Sequence, residues 1–222
     1  VLFQHCLSSA DIGCHSVWKG IFKEALMVAS YIDLPSLLKF SACNFYMTPW
    51  GIDDSVFKLL EKPRSKALIT TGWSLRHEAI EECYLAAKRL RLEMVNLGDD
   101  FHFGEGFSAV SRISDRELCN LYNECNFVSV LRFHEGFEIP VIEGLMCGCR
   151  PICFNLPIYT RWFGDLACYV HHCQGPRLAD AIESILRQGP LPVSQGEISA
   201  VRDRFGWQNI TAQFWQKILD YV

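Results

Sequence analysis

The sequence predicts an α/β protein, a Rossmann-like parallel sheet with helices on both faces. Three observations carry that prediction. From Lys66 to Leu186 short β-rich apolar runs alternate repeatedly with helical patterns, and parallel strands joined by crossover helices are the arrangement that satisfies such an alternation. Ser129–Pro157 passes from an apolar run through a tight acidic turn into a helix start and then a second apolar run, the outline of a ligand-binding βαβ unit. The composition, half hydrophobic with 13% aromatic and 21% charged residues, is that of a folded globular chain rather than a disordered one.

The elements follow in order. Val1–Ala10 shows no period. Over Ser16–Asp33 apolar residues recur at three- and four-residue spacing, predicting an amphipathic helix that ends before Pro35. Thr48–Asp53, with a Pro and a Gly close together, reads as a turn or linker, and Val56–Leu60 as one helical turn or an extended tether. Ala67–Thr71 is a strand closed by Gly72, and His77–Leu92 a helix with acids before bases. Glu93–Leu97 is the next strand. Asp99–Arg112, rich in Phe and Gly, reads as a long mobile loop. Ser114 and Glu117 form a capping box that opens a helix to about Asn123. Strand Phe127–Leu131 follows, then a helix near Pro140 with Glu143 in its first turn, then strand Pro151–Phe154. Tyr159–Asp165 is a polar-aromatic segment, Ala167–Val170 a short strand, and Leu178–Leu186, Glu197–Arg204 and Thr211–Val222 are helices. The last is expected to pack through Phe214, Trp215, Ile218 and Leu219.

Bulk properties exclude several functions. A chain of 222 residues holds one large domain, or one domain and part of another. The net charge is -4 and no basic block stands out, so nucleic acid is not an expected partner. No apolar run reaches the roughly 18 residues that span a bilayer, and Val1–Ala10 lacks the pattern of a signal peptide. The eleven cysteines are odd in number, several lie within apolar runs, and none forms a C-x-x-C pair. They read as small hydrophobes in a reducing compartment rather than as disulfides or metal ligands. The expected location is the cytoplasm, with the cytoplasmic membrane surface as the alternative.

Glu135 and Glu143 are the acids around which the site is built. A glycosidase-like acid/base pair is one use of two carboxylates, but Glu143 inside a helix start is poorly aimed for it. The helix N-terminus offers N–H donors and a positive end for a diphosphate. Gly136 lets backbone approach a ligand closely. One carboxylate can accept a ribose diol and the other the hydroxyls of a sugar beyond the diphosphate. Together these elements match a nucleotide-sugar.

Glu135–Glu143, EGFEIPVIE, followed by GLMCGCRPI, resembles the E-x7-E signature of the large GT4-like family of retaining GT-B glycosyltransferases (glycosyl transferases group 1). Pro49–Asp53 with Val56-Phe57 resembles that family's inter-domain linker. Ser114–Tyr122 resembles the helix before its motif, Gly164-Asp165 the GD after it, and Arg204–Trp207 the entry to its last helix. The resemblance implies the C-terminal, donor-binding half of a GT-B fold. Residues 1–45 would be the remnant or tail of an acceptor domain, 46–66 the linker, 67–205 the nucleotide-sugar-binding domain and 206–222 the C-terminal helix. It further implies transfer of a sugar from a nucleotide diphosphate-sugar to a carbohydrate, lipid or protein acceptor, without metal or other cofactor and with retention by front-face attack. Glu135 would hold donor-sugar hydroxyls and Glu143 the ribose. Gly136, Phe137, Glu138 and Ile139 would face sugar and diphosphate through their backbone. Lacking most of an acceptor domain, the chain alone is expected to bind nucleotide and transfer little.

Two departures stand out. The family usually has Gly at Glu138, so that carboxylate must point away from the donor, or the donor sits differently. The family's first strand usually ends G-R-L with a Lys farther on. Here Gly72 is followed by Trp73-Ser74-Leu75-Arg76, which leaves Arg76 as the candidate phosphate ligand beside Gly72. The competing readings are a catalytically degenerate GT-B half that serves as a binding module, favoured by Glu138 and Trp73, and a nucleotide-sugar epimerase.

Overall fold

In the computed structural model the residues described are 2–4, 26–29, 44–75, 77–132 and 137–221. Two parallel sheets are present among the described residues. In the first, β1 (Leu2–Gln4), β2 (Leu26–Ala29) and β3 (Asn44–Met47) lie side by side in that order. Leu26–Ala29 is therefore strand where three- and four-residue spacing predicts helix. A four-residue run that is apolar throughout carries no period able to separate the two, and here parallel pairing to both neighbours decides it. The rest of that predicted helix lies outside the described residues.

The second sheet contains β4 (Lys66–Gly72), β5 (Met94–Gly98), β6 (Phe107–Val110), β7 (Cys125–Val130), β8 (Arg150–Phe154) and β9 (Cys168–Val170). All are parallel, in the order β6-β5-β4-β7-β8-β9. This is the doubly wound Rossmann order, and the predicted fold class is borne out. Strand order reverses between β4 and β7, where such sheets open a crevice at the carboxyl ends. Leu68, Ile69, Val128, Ile152 and Cys153 are fully buried at the centre of the sheet.

Among the described residues the helices are α1 (Ile80–Arg89), α2 (Asp115–Glu124), α3 (Ile139–Met146), α4 (Pro157–Phe163), α5 (Pro176–Arg187), α6 (Gln195–Phe205) and α7 (Trp207–Tyr221). The capping box at α2 forms in full, Ser114 Oγ accepting the Glu117 N–H and the Glu117 carboxylate the Ser114 N–H. Three expectations need correction. Phe107–Val110 is an edge strand on β5 rather than part of a loop, held by Phe107 against the stacked rings of Tyr84 and Phe103. Tyr159–Asp165 lies in α4 and a short 3-10 turn, because Pro157 starts a helix whose Tyr159, Trp162 and Phe163 turn inward. On α7 Ile210 is buried, whereas Trp215 and Leu219 are 56% and 69% exposed.

The stretch around Gly51 and Ile52 is locked to the C-terminal helices. Ile52 donates to the carbonyl of Phe205 (2.7 Å) and accepts from the N–H of Trp207 (3.2 Å). Gly51 is required there, since a Cβ would lie 2.3 Å from the Trp207 ring. Val56–Leu60 is a turn leading into extended chain rather than a helix. Phe57 meets Tyr122 edge-on at 6.4 Å, and Asn123 bonds the Leu60 N–H and the Lys58 carbonyl. Phe57–Leu60 thus props α2 from behind.

Candidate functional site

A cleft of about 320 Å³ opens at the carboxyl ends of β4 and β7, lined among others by Thr71, Trp73, Arg112, Tyr122, Arg132 and Glu143. This is the position the strand order assigns to a ligand. Glu143 projects from the second turn of α3, one turn later than expected, because the helix begins at Ile139. The Tyr122 hydroxyl donates to its carboxylate at 3.0 Å. Burial pushes the Glu143 carboxyl up to about 7, with Asp115 adding to the rise and the Tyr122 bond opposing it. Tyr122 is itself fully buried and its phenol is pushed well above its ordinary value, first by burial and then by Glu143. The capping box that starts α2 therefore places the hydroxyl that aims Glu143.

Glu138 resolves one of the two departures. Its side chain is 1% exposed and salt-bridged to Arg132, Nη1 to Oε2 at 3.0 Å. The Tyr159 hydroxyl donates to its other oxygen at 3.3 Å. Glu138 does not line the cleft; its carboxylate is directed into the protein and compensated there, as a buried charge must be. Arg132, two residues beyond β7, also donates through Nη2 to the Thr71 carbonyl (2.6 Å) and lies with Nε 3.3 Å from Glu78 Oε1. The sequence reading overlooked Arg132. The signal for it was an arginine ending an apolar strand run at the carboxyl edge of a parallel sheet.

Gly72 closes β4 as expected. Across from it Gly98 stands at φ 152°, and a Cβ there would lie 1.9 Å from the Gly72 carbonyl oxygen. Only glycine permits this approach. Beyond Gly72 the N–H groups of Trp73 and Ser74 both bond Glu78, and Trp73 projects 60% exposed at the cleft rim. Phe137 buries its ring against Trp162, Phe163 and Phe205, so only its backbone is left for a ligand. Ile139 begins α3 half-exposed, and no side chain caps that helix. Arg76, Glu135 and Gly136 lie outside the described residues.

An all-parallel sheet of Rossmann order with a cleft at its switch point is a feature of the GT-B architecture. The chain carries the GT-B glycosyltransferase fold. Anabaena HepE in complex with UDP-glucose superimposes with a TM-score of 0.76 at 13% identity, over 98% of this chain and 71% of that one. Sucrose-phosphate synthase from Thermosynechococcus elongatus gives 0.73 at 17% identity, over 94% and 62%. By sequence the chain is similar to two mannosyltransferases. It is 28% identical over 106 residues to O-antigen chain mannosyltransferase B of Escherichia coli, covering 46% of this chain and 27% of that protein. It is 26% identical over 156 residues to the GDP-mannose:cellobiosyl-diphosphopolyprenol alpha-mannosyltransferase of Komagataeibacter xylinus, covering 67% and 38%. The chain thus matches well under half the length of these relatives. No family model matches. Among the described residues no helix is long and apolar enough to cross a membrane.

Proposed function

We propose that this chain forms the donor site of a retaining glycosyltransferase that uses a nucleotide diphosphate-sugar. The observation that carries the reading is the Tyr122–Glu143 pair, a largely buried carboxylate aimed by a phenol into a cleft at the sheet's switch point. A carboxylate has acceptor capacity left after one hydrogen bond, and a ribose diol supplies two donors. The start of α3, whose first N–H groups no side chain caps, offers donors and the positive end of a helix dipole to the diphosphate. In transfer, an acceptor hydroxyl attacks the anomeric carbon, the bond from that carbon to the diphosphate oxygen breaks, and the nucleoside diphosphate leaves with the electron pair and takes up the hydroxyl's proton. Donor groups already in place around that oxygen lower the barrier most. Glu135 keeps the sugar-holding role its motif implies, and no metal is assigned to the reaction.

GDP-mannose is the first donor to test, because one of the relatives is named for it; UDP-glucose is the second, being bound in a structural neighbour. Calorimetry with GDP-, UDP- and ADP-sugars on the folded protein checks the reading. Saturable binding of at least one supports it, and absence of binding to all three refutes it.

A further inference from the structure

Cys119 on α2 and Cys147, the residue that follows α3, are free thiols buried side by side, with their sulfurs 3.8 Å apart. The Cys147 thiol donates to Cys119 Sγ, and Asn123 Nδ2 donates to the same sulfur at 3.6 Å. While it keeps its own proton, Cys119 faces the Lys58 carbonyl at 3.6 Å. Two donors against one acceptor favour a thiolate on Cys119. The bond from Cys147, working against burial, holds the Cys119 thiol down at about 6. That bond and burial push the Cys147 thiol up, and burial alone is the main force sending Cys83 and Cys125 up to about 12. One sulfur is therefore set as a nucleophile against a protonated partner. The pair also adjoins the cleft. Tyr122 lies three residues beyond Cys119 on α2, and the Cys147 N–H bonds the Glu143 carbonyl at 3.1 Å.

We propose that Cys119 and Cys147 are an oxidation site that closes to a reversible disulfide, stapling α2 to α3 beside the Tyr122–Glu143 pair. The Cys119 thiolate attacks hydrogen peroxide and the O–O bond breaks. The sulfur becomes a sulfenic acid, and the departing hydroxide takes up a proton as water. The Cys147 sulfur then attacks Cys119 Sγ. The S–S bond forms, the S–O bond breaks, and the Cys147 proton leaves with that hydroxyl as a second water. Two thiols and one peroxide thus give one disulfide and two waters, and a dithiol reverses the step by exchange. Transient, redox-sensing bonds are the usual disulfides of a compartment that otherwise keeps thiols reduced. Closing the sulfurs to about 2 Å draws α2 towards the end of α3, where Tyr122 aims Glu143. Loss of one well-placed hydrogen bond to that carboxylate weakens nucleotide binding about fivefold or more. The staple stands on the two sulfurs and their neighbours; only its effect on nucleotide rests on the donor-site reading.

The test treats the folded protein with hydrogen peroxide and reads its intact mass and its linked peptides. The expected result is a mass lower by two hydrogens, restored by dithiothreitol, with Cys119 joined to Cys147. Trypsin leaves Cys119 on one peptide with Cys125, and Cys147 on another with Cys149, so fragmentation of the linked pair assigns the sulfurs. Cys147→Ser should lose the bond and leave a sulfenic acid on Cys119 that dimedone traps. The wild-type fragmentation decides the matter even if that variant unfolds. No bond, a bond through Cys125 or Cys149, or a bond formed only in urea overturns the proposal. GDP and UDP are then titrated into the reduced and oxidised forms. Weaker binding after oxidation is expected, and equal or tighter binding with the bond in place overturns its action on the cleft. The bond formed with no nucleotide binding by either form would uphold the staple and remove the donor-site reading.

Discussion

Glu143→Gln separates the electrostatics of the site from its shape. Burial raises the Glu143 carboxyl from 4.5 to about 7. In the unfolded chain the group ionises near its ordinary value, so between about pH 4.5 and 7 the folded state holds the extra proton. Stability attributable to Glu143 is therefore highest below 4.5 and falls as pH rises through that window. The rise corresponds to about 3 kcal/mol as an upper limit, at 1.36 kcal/mol per pH unit of displacement. Glutamine keeps the size and the acceptor for Tyr122 but does not ionise. Urea unfolding at pH 5 and pH 8 should show Glu143→Gln gaining on the wild type by about 2–3 kcal/mol at the higher pH, with little difference at the lower. Nucleotide affinity should move oppositely. A ribose diol bonds best to the ionised carboxylate, so wild-type affinity should fall below pH 7 by at most about tenfold per pH unit, and Glu143→Gln should bind weakly with a flat profile. Parallel stability profiles for the two proteins would refute this account of Glu143.

Further perturbations probe the supports of the site. Arg132→Met should cost about 3–5 kcal/mol in urea unfolding, because it strands the buried Glu138 carboxylate; the Arg132→Met/Glu138→Leu double variant should recover most of that loss, and additive losses would argue against the pair. Gly98→Ala should lower stability by about 2–4 kcal/mol, from overlap with the Gly72 carbonyl and a backbone angle that favours glycine, read as the shift in denaturation midpoint. Ser114→Ala should cost about 1 kcal/mol through the capping box, and calorimetry should show only a small effect on nucleotide affinity, since Ser114 acts on the cleft solely through α2.

The fold was legible because its alternation is local. Strand, helix and strand from Lys66 to Leu186 each carry their own apolar pattern, and parallel pairing follows from the alternation. What stayed hidden depends on neighbours. Phe107–Val110 is short, half-exposed and pairs on one side only, so its strand character comes from Met94–Leu97 rather than from its own residues. Leu26–Ala29 is too short for periodicity to distinguish helix from strand. In the site, the spacing of Glu143 from the turn singled it out, and the structure sets it at the cleft, but the hydroxyl that aims it comes from another helix. Glu138 showed as an anomaly for a diphosphate site, yet its resolution required Arg132 and Tyr159, six and twenty-one residues away. Arg132 in turn joins Thr71, Glu78 and Glu138, residues from two separate stretches of the chain. Such convergence is a property of the folded sheet and has no imprint in local sequence.

The central claim is that a nucleoside diphosphate lies across the switch point with its ribose on Glu143. A crystal structure of the protein soaked with GDP or UDP tests this most directly. The account predicts the ribose hydroxyls within hydrogen-bond distance of the Glu143 carboxylate, with Tyr122 still bonded to it, and the diphosphate over the carboxyl ends of β4 and β7. A nucleotide bound elsewhere, or one in the cleft with its ribose away from Glu143, would contradict it.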